Sequence, residues 1–138
     1  MSYQRLNLKQ DYKMLIVYLS LTGNTKRFVD KLGMDSLEVN PANPFVSVSQ
    51  PYVVVAPTYE IEATESINDF IEYENNQSYL QGFMGSGNLN FAELYVFTAR
   101  DLAEKYKEKL LLSFEYSGTD KDVLEAKSII ERLMEDYE

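Results

Sequence analysis

The sequence predicts an α/β fold, a three-layer sandwich on a five-stranded parallel sheet in the order 2-1-3-4-5. Three observations lead there. The runs Met14–Leu19 and Tyr52–Ala56 are continuously apolar rather than alternating, which suits strands buried on both faces. Stretches with apolar residues at helical spacing separate the strand candidates, so the connections are those of right-handed parallel βαβ units. Four of the strands run into loops of hydroxyl, amide or glycine residues. In such a sheet, ligands bind outside the carboxyl ends at the switch point, here between strands 1 and 3.

Composition bounds the answer. The 138 residues suit one domain, read as an N-terminal extension over 1–13 and a domain over 14–138. No apolar run approaches the roughly 20 residues needed to cross a bilayer. Met1 to Lys13 is polar and lacks the apolar centre of a signal peptide, so a cytoplasmic protein without a membrane partner is expected. The chain has no Cys and no His, which removes thiolate nucleophiles, disulfides, imidazole metal sites and Ser-His-Asp triads. A bound cofactor is then the economical way for such a chain to do redox chemistry. The net charge of −9 is concentrated: from Leu32 to Ala99 there are nine acids and no Lys or Arg. That argues against nucleic acid, which needs a basic footprint, and permits a basic protein partner or simply a solvated acidic face.

The elements follow in order. Met14–Leu19 is strand 1, and Thr25–Leu32 a helix with Phe28, Val29 and Leu32 on one face and Gly33 as its C-cap. Leu37–Val39 is a short edge strand. Three prolines from Asn40 to Pro51 argue against a helix there, leaving a long crossover loop. Tyr52–Ala56 is strand 3, followed by a loop over Thr58–Glu65 and a helix over Glu65–Tyr73. Tyr79–Met84 is strand 4, running into Gly85–Asn90. Phe91–Tyr106 is a helix, Leu110–Tyr116 strand 5, and Asp122–Tyr137 a closing amphipathic helix.

The switch-point rule brings together Ser20–Thr25, Thr58–Glu65 and Gly85–Phe91. Ser20-Leu21-Thr22-Gly23-Asn24-Thr25 joins a strand to a helix N-terminus. It offers hydroxyls, backbone N–H groups and a positive helix end to a phosphate, although the same residues also serve ordinary turns and caps. It lacks the Gly-Lys-Ser/Thr of a Walker A loop and the G-x-G-x-x-G of a dinucleotide site. Its strand ends in Tyr18-Leu19-Ser20, without the acids of a phosphoacceptor. Tyr59 and Phe91 either cover a flat apolar ring or pack into the core, and the backbone around Gly85, Gly87 and Asn88 can meet a polar ring edge. A phosphate and a flat ring with a polar edge describe FMN.

The same stretches carry a resemblance. Ser20–Thr25 resembles the phosphate loop of flavodoxins. Ser86-Gly87-Asn88-Leu89-Asn90-Phe91 and Phe114-Glu115-Tyr116-Ser117-Gly118-Thr119 resemble the S-G-N-x-N-[W/F] and F-E-x-x-G-[T/K] segments of NrdI proteins. These are flavodoxin-like activators of class Ib ribonucleotide reductase. The resemblance implies a flavodoxin-like fold and an FMN cofactor. It implies that the reduced flavoprotein, supplied with electrons by a reductase, turns dioxygen into superoxide. The oxidant passes to the small, radical-bearing subunit of the reductase for assembly of its metal or radical cofactor. Carried over by position, Ser20, Thr22, Gly23, Asn24 and Thr25 hold the phosphate. Thr58, Tyr59 and Glu60 line one side of the ring, and Gly87, Asn88, Asn90 and Phe91 the other. The loop after strand 3, usually Gly-rich in that family, here carries Glu60, Glu62 and Glu65 and no Gly. Acids beside the ring predict a low potential for the reduced anionic form, whereas acids facing outward suit a basic partner. Two other readings share the fold: a general electron-carrier flavodoxin, and a flavin-free scaffold that binds a partner through its acidic face.

Overall fold

Side chains alternate along the buried strands and so sort the core into two layers. Leu15 and Val17 of the first strand join Tyr52, Val54 and Ala56 of the third on one face; Ile16 and Tyr18 join Val53 and Val55 on the other. A computed structural model describes residues 13–90 and 95–137. The strands are β1 (Leu15–Tyr18), β2 (Ser36–Glu38), β3 (Tyr52–Pro57), β4 (Leu80–Gly87) and β5 (Leu110–Glu115). The helices are α1 (Asn24–Leu32), α2 (Ile61–Ile71), α3 (Phe97–Tyr106) and α4 (Asp120–Asp136). All pairings are parallel and the order is β2-β1-β3-β4-β5, as the sequence predicts.

α2 and α3 cover one face through Ile67, Phe70, Ile71, Ala99, Leu102 and Ala103. α1 and α4 cover the other through Phe28, Val29, Leu32, Val123, Ala126 and Ile130. There the rings of Phe28 and Phe114 stack with centroids 3.9 Å apart. Among the described residues no helix is long and apolar enough to cross a membrane.

Several boundaries differ from expectation. α2 begins at Ile61, four residues before the predicted start, so the loop after β3 is only Thr58–Glu60. Its first turn hides from a periodicity search because Ile61 points to solvent while the polar Thr64 is buried. Gly85–Gly87 belong to β4 rather than to a loop: Gly85 and Ser86 pair with both β3 and β5, and Gly87 pairs with β5. A side chain on Gly85 would lie 2.8 Å from Ala99 Cβ, so these glycines let α3 approach the sheet. The predicted helix over Phe91–Tyr106 is described only from Phe97, and residues 91–94 lie outside the described residues. α4 starts at Asp120, two residues early, behind a capping box in which Thr119 and Asp122 exchange hydrogen bonds.

The helix-free crossover before β3 is held by a residue that the sequence reading passes over. Asn76 sits in a short 3₁₀ turn (Asn76–Tyr79) and is fully buried. Its Nδ2 donates to Val46 O and Phe70 O, both at 2.8 Å, and its Oδ1 accepts from Val48 N at 2.9 Å.

Tyr52 presents the opposite case. Its hydroxyl is buried without a hydrogen-bond partner among the described residues. Burial, helped by the charge of Glu108, pushes the phenol well above its ordinary 10.0. Tyr52→Phe should therefore raise stability by about 1 kcal/mol, because an unpaired buried hydroxyl carries a desolvation cost. The pH dependence has a definite sign. Above pH 10 the unfolded chain releases this proton while the folded chain retains it, so the wild type loses stability as pH rises. Urea unfolding at pH 8 and pH 10.5 checks both points: the variant should be the more stable at each, with the wider margin at the higher pH.

Candidate functional site

The carboxyl ends of β1, β3, β4 and β5 open onto one cavity of about 500 Å³. Thr22 and Asn24 line it from the β1–α1 turn, and Pro57, Thr58, Tyr59 and Glu60 from the end of β3. Ser86, Gly87 and Asn88 close it along β4, with Phe97 of α3 and Tyr116 after β5. The volume falls within the roughly 300–1,000 Å³ of small-molecule sites.

The polar wall follows from local backbone needs. Gly23 has φ +91°, a left-handed conformation that only glycine adopts freely, and it caps α1 without a side-chain acceptor. The first N–H groups of a helix have no intrahelical acceptor, so the turn keeps donors and the positive dipole end facing outward. Ser20 Oγ takes one of these donors, Lys26 N, at 3.2 Å. No acid stands in the first turn to occupy the rest.

The apolar wall is built from loops tied to one another. Thr58 Oγ1 donates to Ser86 O at 2.8 Å, joining the β3 and β4 ends. Tyr59 N donates to Thr98 Oγ1, and that hydroxyl donates back to Tyr59 O, both at 3.2 Å. Ser86 Oγ donates to Tyr116 O at 2.6 Å, and Tyr116 N donates to Gly87 O at 3.0 Å. These bonds hold Tyr116 at φ +52° beside the cavity, and Tyr59 remains 42% exposed at its rim. Three aromatic side chains thus face a cavity whose other end is a helix N-terminus.

The residues named from sequence divide into three groups. Thr22, Asn24, Thr58, Tyr59, Glu60, Gly87 and Asn88 line the cavity. Ser20, Gly23, Thr25 and Asn90 do not line it: Ser20 and Gly23 shape the turn, Thr25 is buried, and Asn90 is exposed, its N donating to Asn88 Oδ1 at 2.9 Å. Phe91 lies outside the described residues. Of the three acids after β3, Glu60 alone lines the cavity; Glu62 is in the first turn of α2, and Glu65 accepts from Asn68 Nδ2 at 3.3 Å. Sequence reasoning missed Pro57, Ser86, Phe97 and Tyr116. The switch-point rule names strands 1, 3 and 4 but not the loop after strand 5, and no local signal announces a tyrosine with positive φ.

A second depression of about 520 Å³ lies at the amino ends of the strands, walled by Met14, Met34, Ile130 and Met134 with Asp35, Glu131 and Glu135. The C-terminal ends of α1 and α4 face it, and its three carboxylates outnumber its one base, Lys13, so dipoles and net charge both disfavour an anion. The cavity at the carboxyl ends is the candidate site.

Sheet order, the position of the cavity and the open helix N-terminus define a flavodoxin-like protein. Solved structures with this fold include a short-chain flavodoxin associated with a non-canonical PDU bacterial microcompartment, with a TM-score of 0.70 at 17% identity, covering 92% of this chain and 99% of that one. Oxidised flavodoxin 2 from Bacillus cereus superposes with a TM-score of 0.62 at 17% identity, over 91% of this chain and 99% of that one. The family profile described as "NrdI Flavodoxin like" matches residues 16–128. Protein NrdI of Bartonella tribocorum is 35% identical over 124 residues, and that of Bartonella quintana 34%; each alignment covers 86% of this chain and 94% of the relative. The chain belongs to the NrdI flavodoxin-like family.

Proposed function

We propose that the chain binds FMN in the cavity at the carboxyl ends of the sheet and, once reduced, supplies superoxide to the small subunit of a class Ib-type ribonucleotide reductase. The observation that carries this reading is the pairing, within one 500 Å³ cavity, of an open helix N-terminus with three aromatic side chains. The donor set suits the ligand. The Ser20–Thr25 turn offers the Thr22 hydroxyl, the Asn24 amide and N–H groups to a phosphate, and Tyr59, Phe97 and Tyr116 offer apolar surface to a flat ring. The backbone at Gly87 and Asn88 lines the same cavity and can meet the polar edge of that ring. When bound and reduced, FMN supplies the electrons that convert dioxygen to superoxide.

The protein's own residues set the conditions for that chemistry. The bonds Thr58–Ser86, Tyr59–Thr98 and Ser86–Tyr116 preorganise the walls, so little ordering is left for binding to cost. Glu60 at the rim opposes negative charge in the cavity and so favours passing electrons onward. The acidic stretch around α2, which contains no base from Leu32 to Ala99, suits a basic partner surface.

Titration of the purified protein with FMN, followed by flavin absorbance and fluorescence quenching, tests the cofactor. Saturable one-to-one binding is expected. Absence of uptake would leave only a flavin-free scaffold. Stopped-flow oxidation of the reduced protein should show rapid superoxide formation. Slow reaction with dioxygen but fast electron delivery to a cytochrome would instead assign a general electron carrier.

A further inference from the structure

The phosphate reading of the Ser20–Thr25 turn leaves a question of charge. The protein carries −9, Glu60 lines the cavity, and the loops after β3 and β4 lie in the stretch from Leu32 to Ala99 that has no Lys or Arg. A compensating cation must come from the start of α1 or from further away.

Two bases stand there. Lys26 is committed elsewhere, its Nζ 3.0 Å from Asp30 Oδ2 one turn on. Arg27 is not. Its guanidinium folds back toward the helix start, where Nη2 donates to Asn24 Oδ1 at 2.7 Å. A side chain on Gly23 would lie 3.0 Å from Arg27 Nη1, so the guanidinium rests against the cap itself. No carboxylate lies within ion-pair distance of it among the described residues. A cation folded onto a helix N-terminus is opposed by the dipole and ordinarily belongs at the other end. That arrangement is unfavourable in isolation and becomes favourable when an anion arrives.

The bond to Asn24 has a second consequence. Asn24 lines the cavity. With its Oδ1 held by the guanidinium, its Nδ2 donors are the end left to face an incoming group. Arg27 thereby fixes the amide in the orientation that suits an acceptor.

Resting on the FMN reading, we infer that Arg27 is a positioning and charge-compensating residue of the phosphate subsite: from just outside the cavity wall it orients Asn24, and it supplies a positive charge that the residues lining the cavity lack. The ligand feature it recognises is the phosphate monoester, not the ring.

Riboflavin, which has the ring but no phosphate, separates the two parts. Kd values for FMN and riboflavin are measured for the wild type, Arg27→Met and Arg27→Lys at low and moderate salt, with circular dichroism melts as a check on folding. Arg27→Met should weaken FMN by about tenfold while leaving riboflavin unchanged, since a charged hydrogen bond is lost only with the phosphate. Its FMN affinity should also depend less on salt. Arg27→Lys should recover part of the preference, because it keeps the charge but loses the fork. An FMN-to-riboflavin ratio in Arg27→Met equal to that of the wild type overturns this role and leaves the FMN reading intact. A wild type that binds riboflavin as well as FMN overturns the role together with the phosphate placement. A wild type that binds neither overturns both readings.

Discussion

Replacing Gly87 with valine is expected to weaken FMN binding at least about 100-fold, roughly 2.8 kcal/mol. Gly87 lines the cavity at the end of β4. A Cβ there would lie 2.9 Å from Val96 N and 3.0 Å from Tyr95 Cδ1. The near neighbour is backbone and cannot rotate away, so the Tyr95–Val96 turn has to move. Val96 already holds φ +49°, an uncommon conformation for a β-branched residue, and it leads directly into Phe97, an aromatic wall of the site. Displacing the turn therefore reshapes the wall. FMN titration of Gly87→Val and Gly87→Ala checks this, with alanine expected between valine and the wild type. Wild-type affinity in the folded valine variant would show that Tyr95 and Val96 yield without disturbing Phe97.

Asn76→Ala is expected to destabilise the fold by about 3 kcal/mol, lowering the melting temperature by roughly 10 °C. The change removes three hydrogen bonds at a fully buried side chain and leaves Val48 N, Val46 O and Phe70 O without that partner. Asn76→Asp should also destabilise, since a carboxylate still accepts from Val48 N but cannot donate to two carbonyls. Asn76 precedes β4, at the end of the sheet opposite the cavity. The affinity of the remaining folded protein for FMN should consequently change little. Thermal melts monitored by circular dichroism measure the loss, and a shift below about 1 kcal/mol would mean that water replaces the amide's contacts.

The sheet was legible because its signals are local and redundant. Met14–Leu19 and Tyr52–Ala56 are apolar at every position, which only a doubly covered strand tolerates, and chain connectivity with the right-handed crossover rule then orders the strands. Gly23 and its hydroxyl-bearing neighbours were equally readable, because a strand-to-helix turn with a left-handed residue constrains residue type at one place in the chain. The sequence thus determined the sheet order and located one wall of the cavity.

Other features depended on residues distant in the chain. The early start of α2 is set by burial of Thr64 against the core, which a hydrophobic period does not register. Gly85–Gly87 read as a loop because glycines weaken strands, yet pairing with β5 throughout and with β3 at Gly85 and Ser86, under the close approach of α3, makes them strand. Tyr116 reaches the cavity through a bond from Ser86, thirty residues earlier. Arg27 reads as an ordinary helix-surface base until its guanidinium is seen folded onto the cap. The sequence by itself determined where the backbone could present donors to a phosphate. Only the tertiary structure decided which aromatic rings share a cavity with that turn and which cation lies against its cap, because both follow from packing and side-chain direction rather than from spacing along the chain.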